Sequence, residues 1–529
     1  MLTFDWATPY PSRRQPVLAR NAVATSQPLA TQAGIAMLQR GGNAVDAALA
    51  TAITLTVVEP CSNGLGSDLF AIVWDGRALS GLNATGRAPA AVTPARYAGQ
   101  GAMPQRGWEP VTIPGAVSGW AALSQRFGAL PFADLFDPAI QYARHGYAVS
   151  PIVAEKWALA TTVLPHDLGF AEHFMPNGRA PAPGETFACP AMANSLEKIA
   201  ATHGNAFYRG ELAAAMVAHA KKHGAAHVLA EFEAHAIDWV TPLALDYGGA
   251  TVHEIPPNGQ GIAAQMALGM LKSFDLAALP PDSVACQHLQ IEAMKLAFAD
   301  AHCYVSDPAT MKVLPAALLD PAYLASRAGL IDRNRAQDFG PGKPPVGGTV
   351  YLCAADASGM MISLIQSNYM GFGSGVVVPG TGISLQNRGA GFSLERGHVN
   401  EIGGGKRPFH TIIPGFLTQN GAPLAAFGVM GGPIQPPAHV QTLVRLLTFG
   451  MNPQAALDAP RWKVNSGMSI DLETSASPEL RAGLAALGHD LKSVADSYMD
   501  FGAGQYIVRR DNGYVAASDP RRDGQAAGF

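Results

Sequence analysis

Charged side chains are scarce in this 529-residue chain: 36 Lys and Arg stand against 40 Asp and Glu, 14% of the sequence, for a net charge near −4. No basic field exists to attract nucleic acid or an anionic membrane, so a small molecule is the expected ligand. Cysteine is sparse as well. Cys61, Cys189, Cys286, Cys303 and Cys353 are odd in number, widely spaced and without a C-x-x-C pair, which argues against a disulfide scaffold or a zinc ribbon. The longest apolar run, near Ala47 to Val58, is too short and too rich in threonine and alanine to span a bilayer and reads as a buried helix. The segment from Met1 to Arg14 has an early acid, two prolines and no apolar h-region, so neither a signal peptide nor a membrane anchor is expected, and the expected compartment is the cytoplasm. A Rossmann fingerprint with its ribose-binding acid and a Walker sequence are both missing. His223 and His227 have i,i+4 spacing, but no acid accompanies them and Gly224 weakens the helix they would need, so no metal and no cofactor is expected.

What the chain does have is a large apolar fraction, 48%, enough for a sizeable core. Helical spacing from Ala30 to Arg40 stops at Gly41-Gly42, and Asn43 is placed to cap a second helix from Ala44 to Val57. A Gly-rich bend, Glu59 to Asp68, leads into a buried-strand composition at Leu69 to Trp74, and a second bend at Pro114 to Gly119 precedes more helix. Residues from about 120 to 335 read mainly as helices, including Cys286 to Cys303. After Thr349 the texture changes. Thr349 to Ala355 and Met360 to Gln366 flank a four-residue turn and read as a hairpin, with further strands expected at 375–379, 382–386, 411–416 and 423–427. A helix is expected from Ala438 to Phe449, and another after Asn452-Pro453. Helix-rich and strand-rich parts together suggest sheets sandwiched between helical layers.

The most informative residue is Thr349. It follows a Pro/Gly-rich run, Gly340 to Gly348, and opens a strand. Cleavage of the Gly348-Thr349 bond would give one residue both a hydroxyl nucleophile and a free α-amine, whose usual pKa of about 7.7 to 8.0 suits it to take the hydroxyl proton. Gly347-Gly348 supplies backbone freedom at that bond. A threonine at a strand start is by itself more often structural, so its neighbours matter. Gly431 and Gly432, after a strand-like run, offer backbone N–H groups for an oxyanion. Ser367, in Ser367-Asn368-Tyr369 just after the second hairpin strand, can reach back to the start of the first, although strand-end capping explains it equally. Arg388 lies among glycines that would leave room for a carboxylate beside its guanidinium, with a surface ion pair as the plainer reading. His410 and Thr411 adjoin a buried-looking strand, where a hydrogen-bonded core histidine would be natural.

Taken together these residues resemble the γ-glutamyltransferase family of N-terminal-nucleophile hydrolases over nearly the whole chain. The most specific matches are Ala33-Gly34, Gly41-Gly-Asn-Ala-Val-Asp-Ala47, Glu59-Pro60, Gly64-Leu-Gly66, Pro114-Gly-Ala-Val-Ser-Gly119, Glu292 to Asp300 with Asp307-Pro308, and Ala517-Ser-Asp-Pro-Arg521 with Gly528-Phe529. The resemblance implies an α/β (α+β) fold, an αββα four-layer sandwich with two central, mainly antiparallel sheets. It also implies a precursor that cuts itself between Gly348 and Thr349. Residues 1–348 would form a large subunit ending in a flexible linker from about 336, and residues 349–529 a small one, together one composite domain. Thr349 would attack an amide carbonyl, Gly431 and Gly432 would hold the oxyanion, and Ser367 would hydrogen-bond the nucleophile.

The departures bear on substrate. Where γ-glutamyltransferases carry an arginine for the substrate α-carboxylate, this chain has Thr85, with Arg87 two residues on. The acid that meets the substrate α-ammonium falls at Gly391, and a nearby glutamine or glutamate becomes Arg388. Two serines become His410 and Thr411, and an asparagine becomes Tyr369. A pocket with Arg388 and without that acid should repel an α-ammonium and favour an acyl group ending in a carboxylate. These residues look like the family's amidohydrolase branch, with its glutaryl-cephalosporin acylase-like proteins and oxamate amidohydrolases. The expected activity is hydrolysis of a small amide through an acyl-enzyme by a self-processing threonine amidohydrolase, free to associate as a homo-oligomer of the processed heterodimer. The alternatives are a true γ-glutamyltransferase or glutathione hydrolase in which Arg87 replaces the missing arginine, and an unprocessed, inactive homologue acting as a binding protein.

Overall fold

Two seven-stranded antiparallel sheets form the centre of the computed structural model, which describes Trp6 and residues 13–340, 348–495 and 501–529. With strands numbered along the chain, the first sheet has the order β14 (Gln525–Gly528), β2 (Ala22–Thr25), β8 (Gly348–Ala355), β9 (Met361–Tyr369), β3 (Asp68–Trp74), β4 (Leu79–Ala84), β5 (Asp238–Val240). The second runs β1 (Val17–Ala19), β13 (Gly513–Ser518), β12 (Ala503–Arg510), β11 (Ala422–Met430), β10 (Gly415–Gln419), β7 (Ala250–Glu254), β6 (Leu243–Tyr247).

Strand alternation sorts the core into layers. Val350, Leu352, Ile362 and Leu364 pack with the helices outside the first sheet. Tyr351, Cys353, Met361 and Ile365 face the second sheet, where they meet Phe416, Ala426, Met430 and Ile507. On the far side Leu417, Ala425 and Phe427 pack against a second helical layer. Helices, sheet, sheet and helices make the expected αββα sandwich. The sheets approach closely at Gly428, where an added Cβ would lie 2.4 Å from the Tyr351 ring. Among the described residues no helix is long and apolar enough to cross a membrane.

Helix α1 (Pro28–Gln39) ends before Gly41, whose φ of 87° is the left-handed stop expected there. Asn43 then caps α2 (Ala44–Val58): its Oδ1 accepts from the N–H groups of Val45 at 2.9 Å and Asp46 at 3.1 Å, while Asp46 accepts from the Asn43 N–H. Every residue of α2 is buried, as its apolar circumference requires.

Several expected elements differ. The region from 120 to 335 is not only helical, since β5, β6 and β7 lie in it beside α3 (Gly261–Leu271) and α4 (Val284–Tyr304). No strand spans 411–414; Ile413 N–H donates to the Gln435 side chain and Pro414 has no donor, so β10 starts at Gly415. The runs at 375–379 and 382–386 shrink to a two-stranded pair, Val377–Val378 with Ile383–Ser384. The helix expected from Ala438 starts earlier, as α5 (Gln435–Leu443), and its last turn widens over Val444–Thr448. Residues 341–347 of the Pro/Gly-rich run, and most of the N-terminal segment, lie outside the described residues. Linker residue Ala336 is buried, its N–H donating to the Leu487 carbonyl at 2.7 Å.

Candidate active site

Thr349 is completely buried at the start of β8. Gly348 pairs with Tyr369 and Val350 with Gln366, so two steps on β8 oppose three on β9. This bulge sets the Thr349 hydroxyl 3.1 Å from the Ser367 hydroxyl. Ser367 lies inside β9 rather than after it, and its oxygen also accepts the Tyr369 N–H at 2.7 Å. One hydroxyl is thus fixed by the backbone and aimed at another.

The second sheet brings its glycine turn to the same end of the sandwich. Ser363, paired with Cys353 on β8, donates to the Phe427 carbonyl at 3.2 Å, and Tyr351 lies over Gly428, so β11 advances toward Thr349 as its numbers rise. It is followed by Gly431 (φ 126°) and Gly432 (φ 69°), conformations that L side chains rarely adopt.

Arg388 is 1% exposed, and its guanidinium carbon lies 4.6 Å from the centre of the Tyr369 ring. Its Nη1 donates to Thr411 Oγ1 at 2.8 Å. Nε and Nη2 of Arg388, and the hydroxyl of Tyr369, are buried with no partner among the described residues. Burial lowers the Arg388 pKa to about 10 against the opposing pull of Asp68 and Tyr369, which still leaves a cation at neutral pH. The neighbouring glycines serve backbone packing rather than ligand room: a Cβ on Gly389 would sit 2.8 Å from the Pro110 carbonyl oxygen and one on Gly391 2.9 Å from that of Phe409.

Gln260 joins these parts. Its Nε2 donates to the Thr411 carbonyl at 2.6 Å and to the Gly432 carbonyl at 2.9 Å, tying the segment beneath Arg388 to the glycine turn. His410 is buried and donates through Nε2 to Asp68 Oδ2 at 3.2 Å, while its Nδ1 faces the Ile412 N–H at 3.4 Å. Burial, then the positive charges of Arg388 and Arg407, push His410 well below its usual pKa, so it is neutral. Thr85 turns back to Asn83 through a 2.7 Å hydrogen bond. Arg87 is half-exposed, with Nη1 on Asp307 at 2.9 Å and on the Gly405 carbonyl at 3.1 Å.

Sequence reasoning missed two members, Gln260 and Asp68. An acid opening the apolar run after Gly64-Leu-Gly-Ser was the available signal for Asp68; nothing in a Pro/Gly loop singles out Gln260. The histidine pair separates: His227 is buried with Nε2 2.9 Å from the Val111 carbonyl, whereas exposed His223 packs on His219. One cluster, His288, Glu292 and His489, has ligand-type atoms within 4.8 Å of one another, but Lys295 stands in it, 2.8 Å from Glu292 Oε1 and 3.4 Å from His489 Nδ1. That ammonium already supplies the cluster's cation.

The model of the family described as Gamma-glutamyltranspeptidase matches residues 30–529. The chain belongs to the γ-glutamyltranspeptidase family. Relatives within this family include the oxamate amidohydrolase proenzyme of Klebsiella pneumoniae, 37% identical over 95% of this chain and 97% of its own length. The glutathione hydrolase-like YwrD proenzyme of Bacillus subtilis is 35% identical over the same shares. Among solved structures, a cephalosporin acylase from Bacillus halodurans superposes with a TM-score of 0.95 at 46% identity, covering 100% of this chain and 99% of its own. This γ-glutamyltranspeptidase-family chain is therefore an enzyme with the N-terminal-nucleophile hydrolase fold, among hydrolases, amidohydrolases and acylases.

Proposed function

We propose that the chain is a precursor that cuts itself between Gly348 and Thr349, and that residues 349–529 then carry an N-terminal threonine hydrolysing amides whose acyl part bears a free carboxylate. The observation that carries the substrate reading is the buried Arg388 guanidinium with two unpartnered nitrogens, stacked on the tyrosine that faces Gly348 across the ladder. A buried cation with open donors is stabilised by a carboxylate, for which the guanidinium fork is shaped. The relative named for oxamate supports this, since oxamate is itself an amide with a carboxylate on its acyl part.

In the reaction the Thr349 α-amine accepts the hydroxyl proton as Oγ1 attacks the amide carbon. Ser367 holds Oγ1 in one rotamer. The carbonyl oxygen gains negative charge and takes hydrogen bonds from the Gly431 and Gly432 N–H groups, whose orientation Gln260 helps fix. Protonation releases the amine or ammonia, and water cleaves the ester left on Thr349. Arg388 binds the far carboxylate, with Thr411 and Tyr369 fixing the guanidinium.

Intact mass and N-terminal sequencing of the purified protein test the first half. The expected result is two fragments, the smaller beginning at Thr349, and a single intact chain for Thr349→Ala. A single chain from the unsubstituted protein, even after long incubation, would favour the inactive binding-protein reading. A glutaryl anilide and a γ-glutamyl anilide compared side by side test the second half; preference for the γ-glutamyl compound would favour a true γ-glutamyl hydrolase. Arg87, already committed to Asp307, is poorly placed to serve that alternative.

A further inference from the structure

Asp68 is buried, begins β3 and pairs across the sheet with Ser367, the residue that holds Thr349. Its Oδ1 accepts from the N–H groups of Gly86 at 3.3 Å and Gly115 at 3.1 Å, and its Oδ2 accepts from His410 Nε2 at 3.2 Å. The residue after His410, Thr411, accepts a hydrogen bond from Arg388 Nη1 at 2.8 Å. Asp68 and Arg388 are thus tied to successive residues, His410 and Thr411, and no hydrogen bond joins the two among the described residues. Among the described residues Arg407 and Tyr208 also interact electrostatically with Asp68. Arg407 already pairs with Asp238, and Tyr208 donates to the Pro114 carbonyl. Arg388 is therefore the buried cation near Asp68 that has no carboxylate bonded to it among the described residues.

We propose that Asp68, positioned by His410, is the internal counter-anion of Arg388 and sets the preference of the acyl pocket, so that a substrate carboxylate binds Arg388 together with a proton taken up on Asp68. This rests on the assignment of Arg388 as the carboxylate anchor. Two anions cannot share one buried cation without one of them paying in desolvation, and the fixed one can be neutralised by protonation. The coupling falls in the working range: burial raises the Asp68 pKa to about 7 even though Arg388, the two backbone N–H groups and Arg407 pull it down. A second carboxylate nearby raises it further. A group whose pKa rises on binding takes up a proton, so affinity for a carboxylate ligand falls as pH climbs through about 7 to 8, while a ligand with a neutral acyl group shows no such loss.

Calorimetric titration of the mature enzyme with glutarate near pH 7, in two buffers of different ionisation heat, measures this uptake directly. The expected result is net proton uptake on binding, and a Kd that weakens about tenfold between roughly pH 6 and pH 9, the reach of a one-unit pKa displacement. The Thr349 α-amine also titrates in this range, so the deciding comparison is Asp68→Asn, which should lose most of the uptake and bind glutarate more tightly than the parent at the alkaline end. In His410→Leu the loss of the N–H donor to the carboxylate should move the inflection to higher pH, an effect that a merely structural residue would not produce. If Asp68→Asn does not mature, that shift decides alone. Unchanged uptake in Asp68→Asn, or an unmoved inflection in His410→Leu, overturns the proposal. The foundation is checked separately: if Arg388→Gln binds glutarate as well as the parent does, the anchor assignment fails first, whereas loss of binding there with an unaltered Asp68→Asn profile fails the counter-anion alone.

Discussion

Replacing Arg388 by methionine should remove substrate selectivity while leaving the resting protein no less stable near pH 6, where its neighbour Asp68 is mostly protonated. In the complex the variant confronts a carboxylate with an apolar side chain. Loss of one partner from a desolvated charge pair costs about 2 to 5 kcal/mol, a fall of about 30- to 5,000-fold in kcat/KM. The empty enzyme has the opposite balance. It holds a buried guanidinium with Nε and Nη2 unpartnered, and each unsatisfied buried donor costs about 1 to 3 kcal/mol. Methionine is of similar length and can still lie on the Tyr369 ring where the guanidinium sits 4.6 Å away. Thr411 loses only one accepted hydrogen bond. Near pH 6, where Asp68 needs no counter-cation, the apparent Tm should therefore be equal to or above that of the parent, and the variant should lose ground as pH climbs through about 7. The assay compares kcat/KM for a glutaryl anilide with that for a pentanoyl anilide, the same acyl chain length without the second carboxylate. In the parent the glutaryl compound should be strongly preferred, and in Arg388→Met the ratio should fall to near one through the glutaryl value alone. An equal fall for both anilides, or a lowered Tm with the ratio preserved, would refute the reasoning and make Arg388 a structural cation.

Four further outcomes follow from the geometry. Thr349→Ser keeps a hydroxyl within reach of Ser367 and should still yield two fragments on a denaturing gel, more slowly, whereas Ser367→Ala should slow both processing and turnover by freeing the nucleophile's rotamer. Gly431→Ala would place a Cβ 2.6 Å from Ile434 Cγ2 and 2.8 Å from the Gly502 Cα at φ 126°, displacing the oxyanion donors; kcat should drop about 100- to 1,000-fold with a smaller change in KM. Asp519→Asn tests a buried network in which Asp519 Oδ2 accepts from Arg461 at 2.6 Å and Arg521 bridges Asp519 and Glu473. Burial would raise the Asp519 pKa, but Arg461 and Arg521 overcome it and hold the carboxylate below its ordinary value. Its contribution is then fully present above the unfolded pKa of about 3.9 and lost as pH falls through the lower folded value. Thermal scans should show the variant destabilised by about 3 to 5 kcal/mol near neutrality and the gap closing in acid; a constant gap at all pH would argue against the ion pairs.

The legible parts of the sequence were those governed by local chemistry. Gly41-Gly42-Asn43 specified a helix stop and a helix cap because each needs one residue type at one position. The hairpin from Thr349 was visible in its turn and its alternation. Strands β6 and β7 carry a half-buried alternation around Gly248-Gly249, a two-residue turn with both φ values positive, yet they were overlooked inside a helix-rich region. Ser367 was placed just beyond its strand because polar residues in a fully buried strand look like a strand end. Asp68 and Gln260 were not seen as site residues, because their roles depend on contacts with residues some 340 and 150 positions away, respectively. The glycines beside Arg388 were assigned to the ligand, whereas they accommodate Pro110 and Phe409, which local sequence cannot foresee.

The order of strands in the first sheet has a consequence for how this fold can be reached. β8 lies between β2, far N-terminal to Gly348-Thr349, and β9, just C-terminal to it, and β14 at the sheet edge pairs with β2. Segments on either side of that bond interleave rather than sit side by side, and the second sheet mixes them too. A cut there would leave every ladder intact but turn each pairing across it from an intramolecular contact into a meeting of two molecules, without the effective concentration of about millimolar that a tether provides. The two fragments would then have no route apart except unfolding, and no efficient route back. Assembly would be a one-time event, completed by the continuous chain before the bond is broken, and heat inactivation of the cut form would be governed by a rate rather than by an equilibrium.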